Sequence, residues 1–218
     1  FIPMAEDITA EADSGGHTDN RPAITLLPSM LALRDECADW FSYGHPLCVG
    51  LAGGMGTPFS VAAAFTMGAD FVLTGSVNQA CKEAGTSDAV KKLLAAAAQT
   101  DMAMAPAADL FERGIKVQVL KSGTLFAQRA ARLFQLYQQY DSLEQIPAKI
   151  RTELEAKIFQ QPLDIAWNQT RTFFADYDPA QITRAENDLK HKMALVFRSY
   201  LGRSSRWAIA GNPQRTKD

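Results

Sequence analysis

Three short apolar runs early in this chain each lead into glycine, and that arrangement limits the fold more than any other feature. Met4 to Glu11 runs into Ala12-Asp13-Ser14-Gly15-Gly16-His17-Thr18-Asp19-Asn20. Leu47 to Leu51 runs into Gly53-Gly54-Met55-Gly56-Thr57-Pro58, and Phe71 to Thr74 is followed by Gly75-Ser76. Between the second and third runs, Ser60 to Met67 reads as an alanine-rich helix closed by Gly68. Apolar strands alternating with helices predict a parallel sheet buried on both faces. The glycines then fall at the C-terminal ends of the strands, which in a β/α barrel is the catalytic face. Bare backbone N–H groups at Gly53, Gly54, Gly75 and Ser76, near helix starts, suit a phosphate dianion.

The first of these loops holds the candidate chemistry. Adjacent glycines let a backbone approach a ligand closely, because no Cβ intervenes. The histidine beside them changes protonation near neutral pH. His17 is therefore the candidate acid–base residue. Asp13, Ser14, Thr18, Asp19 and Asn20 either position substrate or His17, or simply cap the turn; spacing does not rank them.

At these residues a resemblance emerges. Glu11 to Asn20, the Ala52-to-Pro58 turn and Thr74-Gly75-Ser76-Val77-Asn78-Gln79 resemble the nitronate monooxygenase-like flavoproteins. Within them, the chain is most similar to the stand-alone enoyl reductases of polyunsaturated-fatty-acid synthases and trans-acyltransferase polyketide synthases. Glu83 to Asp88, Met104 to Ala107, Lys116 to Leu120 and His191 to Arg198 look like that subgroup too, so the resemblance runs along nearly the whole chain. It implies a β/α barrel that binds flavin mononucleotide (FMN), with NADPH or NADH as reductant. The implied substrate is an enoyl thioester on an acyl carrier protein, and the implied partners are polyketide or fatty acid synthase modules. By position, the resemblance makes His17 the active-site histidine, Gly53, Gly54, Gly75 and Ser76 the flavin-phosphate turns, and Gly15 and Gly16 the flavin or substrate edge. Nitronate oxidation and enoyl reduction share this histidine, so His17 alone does not choose between them. A non-catalytic docking element of a synthase is the remaining alternative.

Length limits what the chain can build. A β/α barrel needs about 250 residues; this chain has 218, and three strands cannot close a barrel of eight. The expectation is an α/β fold, the C-terminal part of a (β/α)8 TIM barrel over residues 1–122, followed by an all-helical region over 123–218. A chain that starts at Phe1 and stops in a polar run is expected to lack N-terminal strands and a C-terminal tail.

The helical patterns begin with Ser87 as an N-cap ahead of Asp88. Ala107 to Arg113 reads as a short helix stopped by Gly114, and Lys116 to Leu120 alternates as a strand. Beyond Ser122-Gly123, Leu125 to Tyr140, Ala148 to Phe159 and Leu163 to Phe174 have helical periods. Pro179 marks a helix start, and Gln181 to Leu201 is the longest pattern. The aromatics Phe126, Phe134, Tyr137, Phe173, Phe174 and Phe197 read as core.

The overall charge of −2 hides an asymmetry. Residues 1–114 carry 14 Asp/Glu against 6 Lys/Arg, whereas residues 115–218 carry 10 against 16, so a half of −8 precedes a half of +6. Arg129, Arg132, Lys190, Lys192, Arg198, Arg203 and Arg206 read mainly as a solvated face, with docking of an acidic carrier protein as the functional alternative. No nucleic-acid-binding module is recognisable in this slightly acidic chain. Cys37, Cys48 and Cys81 are odd in number and lack metal spacing, which fits reduced thiols of a cytoplasmic protein. His45 and His191 read as surface or packing residues, and no metal is expected. Neither a signal peptide nor a membrane-spanning run is visible, so a soluble protein is expected.

Overall fold

The structure, a computed structural model, describes residues 1–16 and 20–218. It divides into two compact units, residues 1–85 with 94–96 and residues 86–93 with 97–218.

The first unit is built on β1 (Asp7–Glu11), β2 (Cys48–Ala52) and β3 (Val72–Leu73). They form one parallel sheet in the order β1-β2-β3, with Glu11 paired to Ala52 and Ala52 to Leu73. The strands are those the sequence predicts, β1 and β3 trimmed at their ends and β2 shifted by one residue. α1 (Ala23–Phe41) links β1 to β2 and α2 (Pro58–Thr66) links β2 to β3. α3 (Ser76–Ala80) follows β3. Ala10, Leu27, Val49, Leu51, Ala64 and Ala69 make the core.

α1 is the element that sequence pattern does not reveal. Pro28 lies inside it, where proline removes one helical hydrogen bond and argues against a helix. Tertiary contact outweighs that cost: Leu27 is fully buried against the sheet. Arg34, from the same helix, pairs with Asp70 at 3.3 Å, and Asp70 accepts the Val49 N–H at 2.7 Å. The helix stops at Ser42, whose φ of 45° is left-handed.

The second unit contains an antiparallel pair, β4 (Met102–Pro106) with β5 (Lys116–Leu120), and five helices from residue 126 onward. These are α5 (Phe126–Gln139), α6 (Ala148–Leu154), α7 (Leu163–Tyr177), α8 (Pro179–Asn187) and α9 (Leu189–Ala210). α4 (Asp88–Ala96) precedes them and contributes residues to both units. Residues 123–218 are helical apart from short connections.

Three expectations change here. The boundary near Ser122-Gly123 falls inside the second unit, because Ala105 and Phe111 are buried in the same core as Leu133, Phe197 and Tyr200. The Ala107-to-Arg113 helix is only a 3-10 turn over Phe111–Arg113, closed by Gly114 in the left-handed region. The long Gln181-to-Leu201 pattern is two helices. Asp188 leaves helical geometry between them, and its side chain accepts the His191 N–H at 3.0 Å as the N-cap of α9.

Most of the expected aromatic core is present: Phe197 is fully buried, and Phe126, Phe134 and Tyr137 pack against it. Phe173 is instead exposed, stacked on Tyr177 with Arg206 over its ring. Several basic residues read as a solvated face are tied down inside the unit. Arg129 pairs with the buried carboxylate of Asp218, Arg198 donates to the Ala108 carbonyl at 2.8 Å, and Lys190 to the Tyr140 carbonyl at 2.5 Å. Among the described residues, no helix is long and apolar enough to cross a membrane.

Candidate active site

Parallel register places the ends of β1, β2 and β3 at one edge of the sheet, so the loops that follow them leave side by side. That edge is where ligands bind in open and closed parallel sheets alike. The loop after β1 is anchored to its neighbour. The Ala12 N–H donates to the Ala52 carbonyl at 2.9 Å, and the Asp13 N–H to the Arg21 carbonyl at 3.0 Å. The Ser14 hydroxyl donates to Glu11 Oε1 at 3.0 Å. A Cβ at Gly16 would stand 3.7 Å from that same carboxylate, so Glu11 faces the glycine pair. Gly15 is exposed and Gly16 half-buried. His17, Thr18 and Asp19 lie outside the described residues, and Asn20 closes the loop with a left-handed φ of 58°.

The four candidate phosphate residues differ in what they do. Gly53 has φ +91°, and a Cβ there would come within 2.7 Å of the Ala12 carbonyl oxygen. Its missing side chain is therefore used by the protein's own backbone, to seat the first loop on the second. Gly54 has φ +73°, yet a Cβ there, like one at Gly75, would meet nothing within 4 Å. These two face open space.

The helix starts differ as well. α2 begins with a reciprocal capping box, in which Thr57 accepts the Ser60 N–H and Ser60 accepts the Thr57 N–H, both at 3.1 Å. α3 begins at Gly75 with no side-chain cap. The first N–H groups of a helix need partners, so α3 and the open ground before Gly54 and Gly75 suit a phosphate better than α2 does.

A concavity lies against this edge, lined by Met55, Gly56, Thr57 and Val61 on one side and Thr74 and Val77 on the other. Thr74 donates to Asn78 Oδ1 at 3.0 Å, and Asn78 returns a bond to the Thr74 carbonyl at 2.9 Å, which fixes the turn carrying Gly75 and Ser76. Sequence pattern points to the glycines but not to Met55, Thr57, Thr74 and Val77. The available signal was their place close beyond each strand.

His191 is buried in the helical unit, with Nδ1 3.0 Å from Glu112 Oε1 and Nε2 2.8 Å from Gln181 Oε1, in keeping with a packing role. His45 is exposed. Among the described residues, no three His, Cys, Asp or Glu side chains converge as a metal site would require.

Comparison with known proteins supplies the lineage. The family model described as nitronate monooxygenase matches residues 8–171. The chain belongs to the nitronate monooxygenase family. A second model, the inserted helical domain of [acyl-carrier-protein] S-malonyltransferase, matches residues 140–218. The chain is 48% identical over 221 residues to one of the polyunsaturated fatty acid synthase subunits of a Thraustochytrium species, a match that takes in all of this chain and 15% of that protein. It is also 48% identical to the polyketide biosynthesis protein PksE of Bacillus subtilis, of which it covers 28%.

Among solved structures, it superposes on the enoyl reductase domain of MlnA, from the macrolactin biosynthesis cluster of Bacillus amyloliquefaciens. The TM-score is 0.90 at 43% identity, covering 99% of this chain and 47% of that one. The chain thus spans less than half the length of each of these relatives.

Proposed function

We propose that this chain forms part of a flavin-dependent enoyl reductase acting in fatty acid or polyketide biosynthesis. In this reading β1–β3 are consecutive strands of a (β/α)8 barrel, and the helices from residue 126 onward are its C-terminal region. The observation that carries it is the single edge at which three glycine loops meet beside a concavity, in a family member similar to an enoyl reductase domain. When bound, FMN would supply the hydride chemistry that links NADPH or NADH to reduction of a 2-enoyl thioester.

The chain's own residues have the remaining tasks. Gly54, Gly75 and Ser76 receive the phosphate with backbone N–H groups, and Gly53 sets the turn that aims them. Gly15 and Gly16 form the rim over which flavin or substrate passes. His17 delivers or orients the proton for the α-carbon, a task suited to a side chain that changes protonation near neutral pH. The acyl carrier protein presents the thioester.

A second reading is favoured by the family model itself, described as nitronate monooxygenase; in it His17 would be the base of a nitronate oxidation. Electron flow separates the two. The purified intact protein should show flavin absorbance and oxidise NADPH or NADH only when an enoyl thioester is supplied. Oxygen uptake with a nitronate and no turnover of the enoyl thioester would reject the reductase in favour of the oxidase. Absence of flavin absorbance would reject both.

A further inference from the structure

The helical unit contains a polar concavity that the flavin reading does not use, lined by Gln161, Gln169, Ser199, Arg203, Trp207 and Arg215 among others. Its wall is unusual backbone. After α6 the helix widens into a π turn over Glu155–Phe159, and Gln160 ends it in the left-handed region at φ 55°. Both features concentrate at functional sites. The carbonyls of Ile158 and Phe159 accept the Arg215 guanidinium at 2.7 and 2.5 Å, and Trp207 stacks on it with 4.1 Å from guanidinium carbon to ring centre. Gln161 and Gln169 exchange two side-chain hydrogen bonds of 3.1 and 3.2 Å, and Gln169 Oε1 also accepts Arg203 at 2.5 Å. Two planar forks are thus held on one small concavity before any ligand arrives.

The charge there is not balanced. Among the described residues no carboxylate pairs with Arg203. Arg215 has one, Asp218 at 3.4 Å, but Asp218 also holds Arg129 and accepts the Tyr200 hydroxyl at 2.6 Å. Burial, with the positive charges of Arg206 and Arg215, pushes Arg203 down from the ordinary arginine range, as expected of a cation lacking its counter-ion. Fixed guanidinium forks match phosphate oxygens in both spacing and charge.

We infer that this pocket binds the phosphate group of a phosphate-ester ligand, with Arg203 as its main contact and Arg215 as a pre-positioned second. Three sources share that chemistry: a phosphopantetheine arm, a nucleotide phosphate and free phosphate. The site lies wholly within the helical unit, so the inference goes beyond the flavin reading. A protein that failed every flavin test would still bind the anion.

The test is calorimetric titration of the intact protein with inorganic phosphate and with two matched pairs, 4′-phosphopantetheine against pantetheine and NADPH against NADH. At least one phosphate-bearing probe should bind. Arg203→Gln should weaken that binding tenfold or more, the usual loss for a charge-assisted hydrogen bond, while Arg203→Lys should weaken it less. Circular dichroism should show that both variants keep their helices, and Arg203→Lys keeps the test valid if the Gln variant does not. Preference for 4′-phosphopantetheine that Arg203→Gln abolishes assigns the carrier arm, preference for NADPH that Arg203→Gln abolishes assigns the nucleotide phosphate, and binding of inorganic phosphate alone that Arg203→Gln weakens still supports the anion site. No binding of any phosphate probe below about 10 mM, or equal binding by wild type and folded Arg203 variants, would overturn the inference.

Discussion

In the α/β unit the buried side chains are mostly small, Ala10, Ala12, Ala64 and Ala69 around Leu27, Val49 and Leu51. In the helical unit they are large, with Phe111, Phe197, Tyr200, Leu133, Leu136 and Met193 all at or near zero exposure. The first unit also leaves Phe59 at 87% and Leu73 at 47% exposure, and among the described residues β1 and β3 each pair with β2 alone. A parallel sheet reaches stability when both faces and edges are covered. The difference separates two tasks along one chain. The loops at the sheet edge are specified by backbone freedom beside open space, whereas the helices are specified by close packing.

The sharpest test of that division is His17→Ala in the intact protein. Turnover of an enoyl thioester should fall by about 10²–10⁴-fold, the range for a lost acid–base group. Flavin content and thermal stability should not change. If turnover persists, His17 leaves the mechanism.

Packing should fail in the other unit. Phe197→Ala removes a ring in contact with Phe111 and Phe159, at centroid distances of 6.3 Å for both. It should cost about 3–5 kcal/mol. Urea denaturation followed at the helical circular dichroism band measures it, and a loss below about 1 kcal/mol would mean that this core collapses to fill the gap.

Two glycine variants should sharpen the comparison within the sheet edge. Gly75→Val places a side chain in open space, so it should lower the flavin-to-protein absorbance ratio with little change in melting temperature. Gly53→Val meets the Ala12 backbone and requires φ +91°, so it should destabilise the fold by about 1–3 kcal/mol as well. Normal flavin occupancy in the Gly75 variant would move the phosphate site elsewhere.

The smallest effect concerns Tyr200, whose hydroxyl donates to Asp218 at 2.6 Å. Burial first, then the Asp218 carboxylate, raises its pKa well above the ordinary value near 10. A raised phenol pKa adds stability that is fully present below the unfolded value and is lost as pH rises through it toward the folded value. Tyr200→Phe should cost about 1–2 kcal/mol at neutral pH, and the gap between variant and wild type should shrink above about pH 10. Melting curves across that range provide the check, and a gap that stays constant would mean that the phenol does not titrate there.

Much of this was legible in the chain because it is local. The three strand ends are written as an apolar run followed by glycine, and α5 and α7 as aromatic and aliphatic residues at helical spacing. Asp188 shows where local reading stops. One residue divides a continuous apolar period into α8 and α9, and only its capping bond to His191 marks the break. α1 was hidden by Pro28 because its stability comes from Leu27 against a sheet the helix does not contain.

Sequence by itself determined the parallel α/β start, the helical end and the identity of the glycine turns, since these follow from periodicity and from residues with particular backbone freedom. Only tertiary structure decided which glycine serves the fold and which faces open space. Gly53 and Gly54 are adjacent and chemically identical, yet one is filled by the Ala12 backbone and the other opens to space. The same holds for the arginines: among the described residues Arg129 is matched to a buried carboxylate and Arg203 has none. Charge and shape of that kind belong to positions brought together from distant parts of the chain, where no local pattern records them.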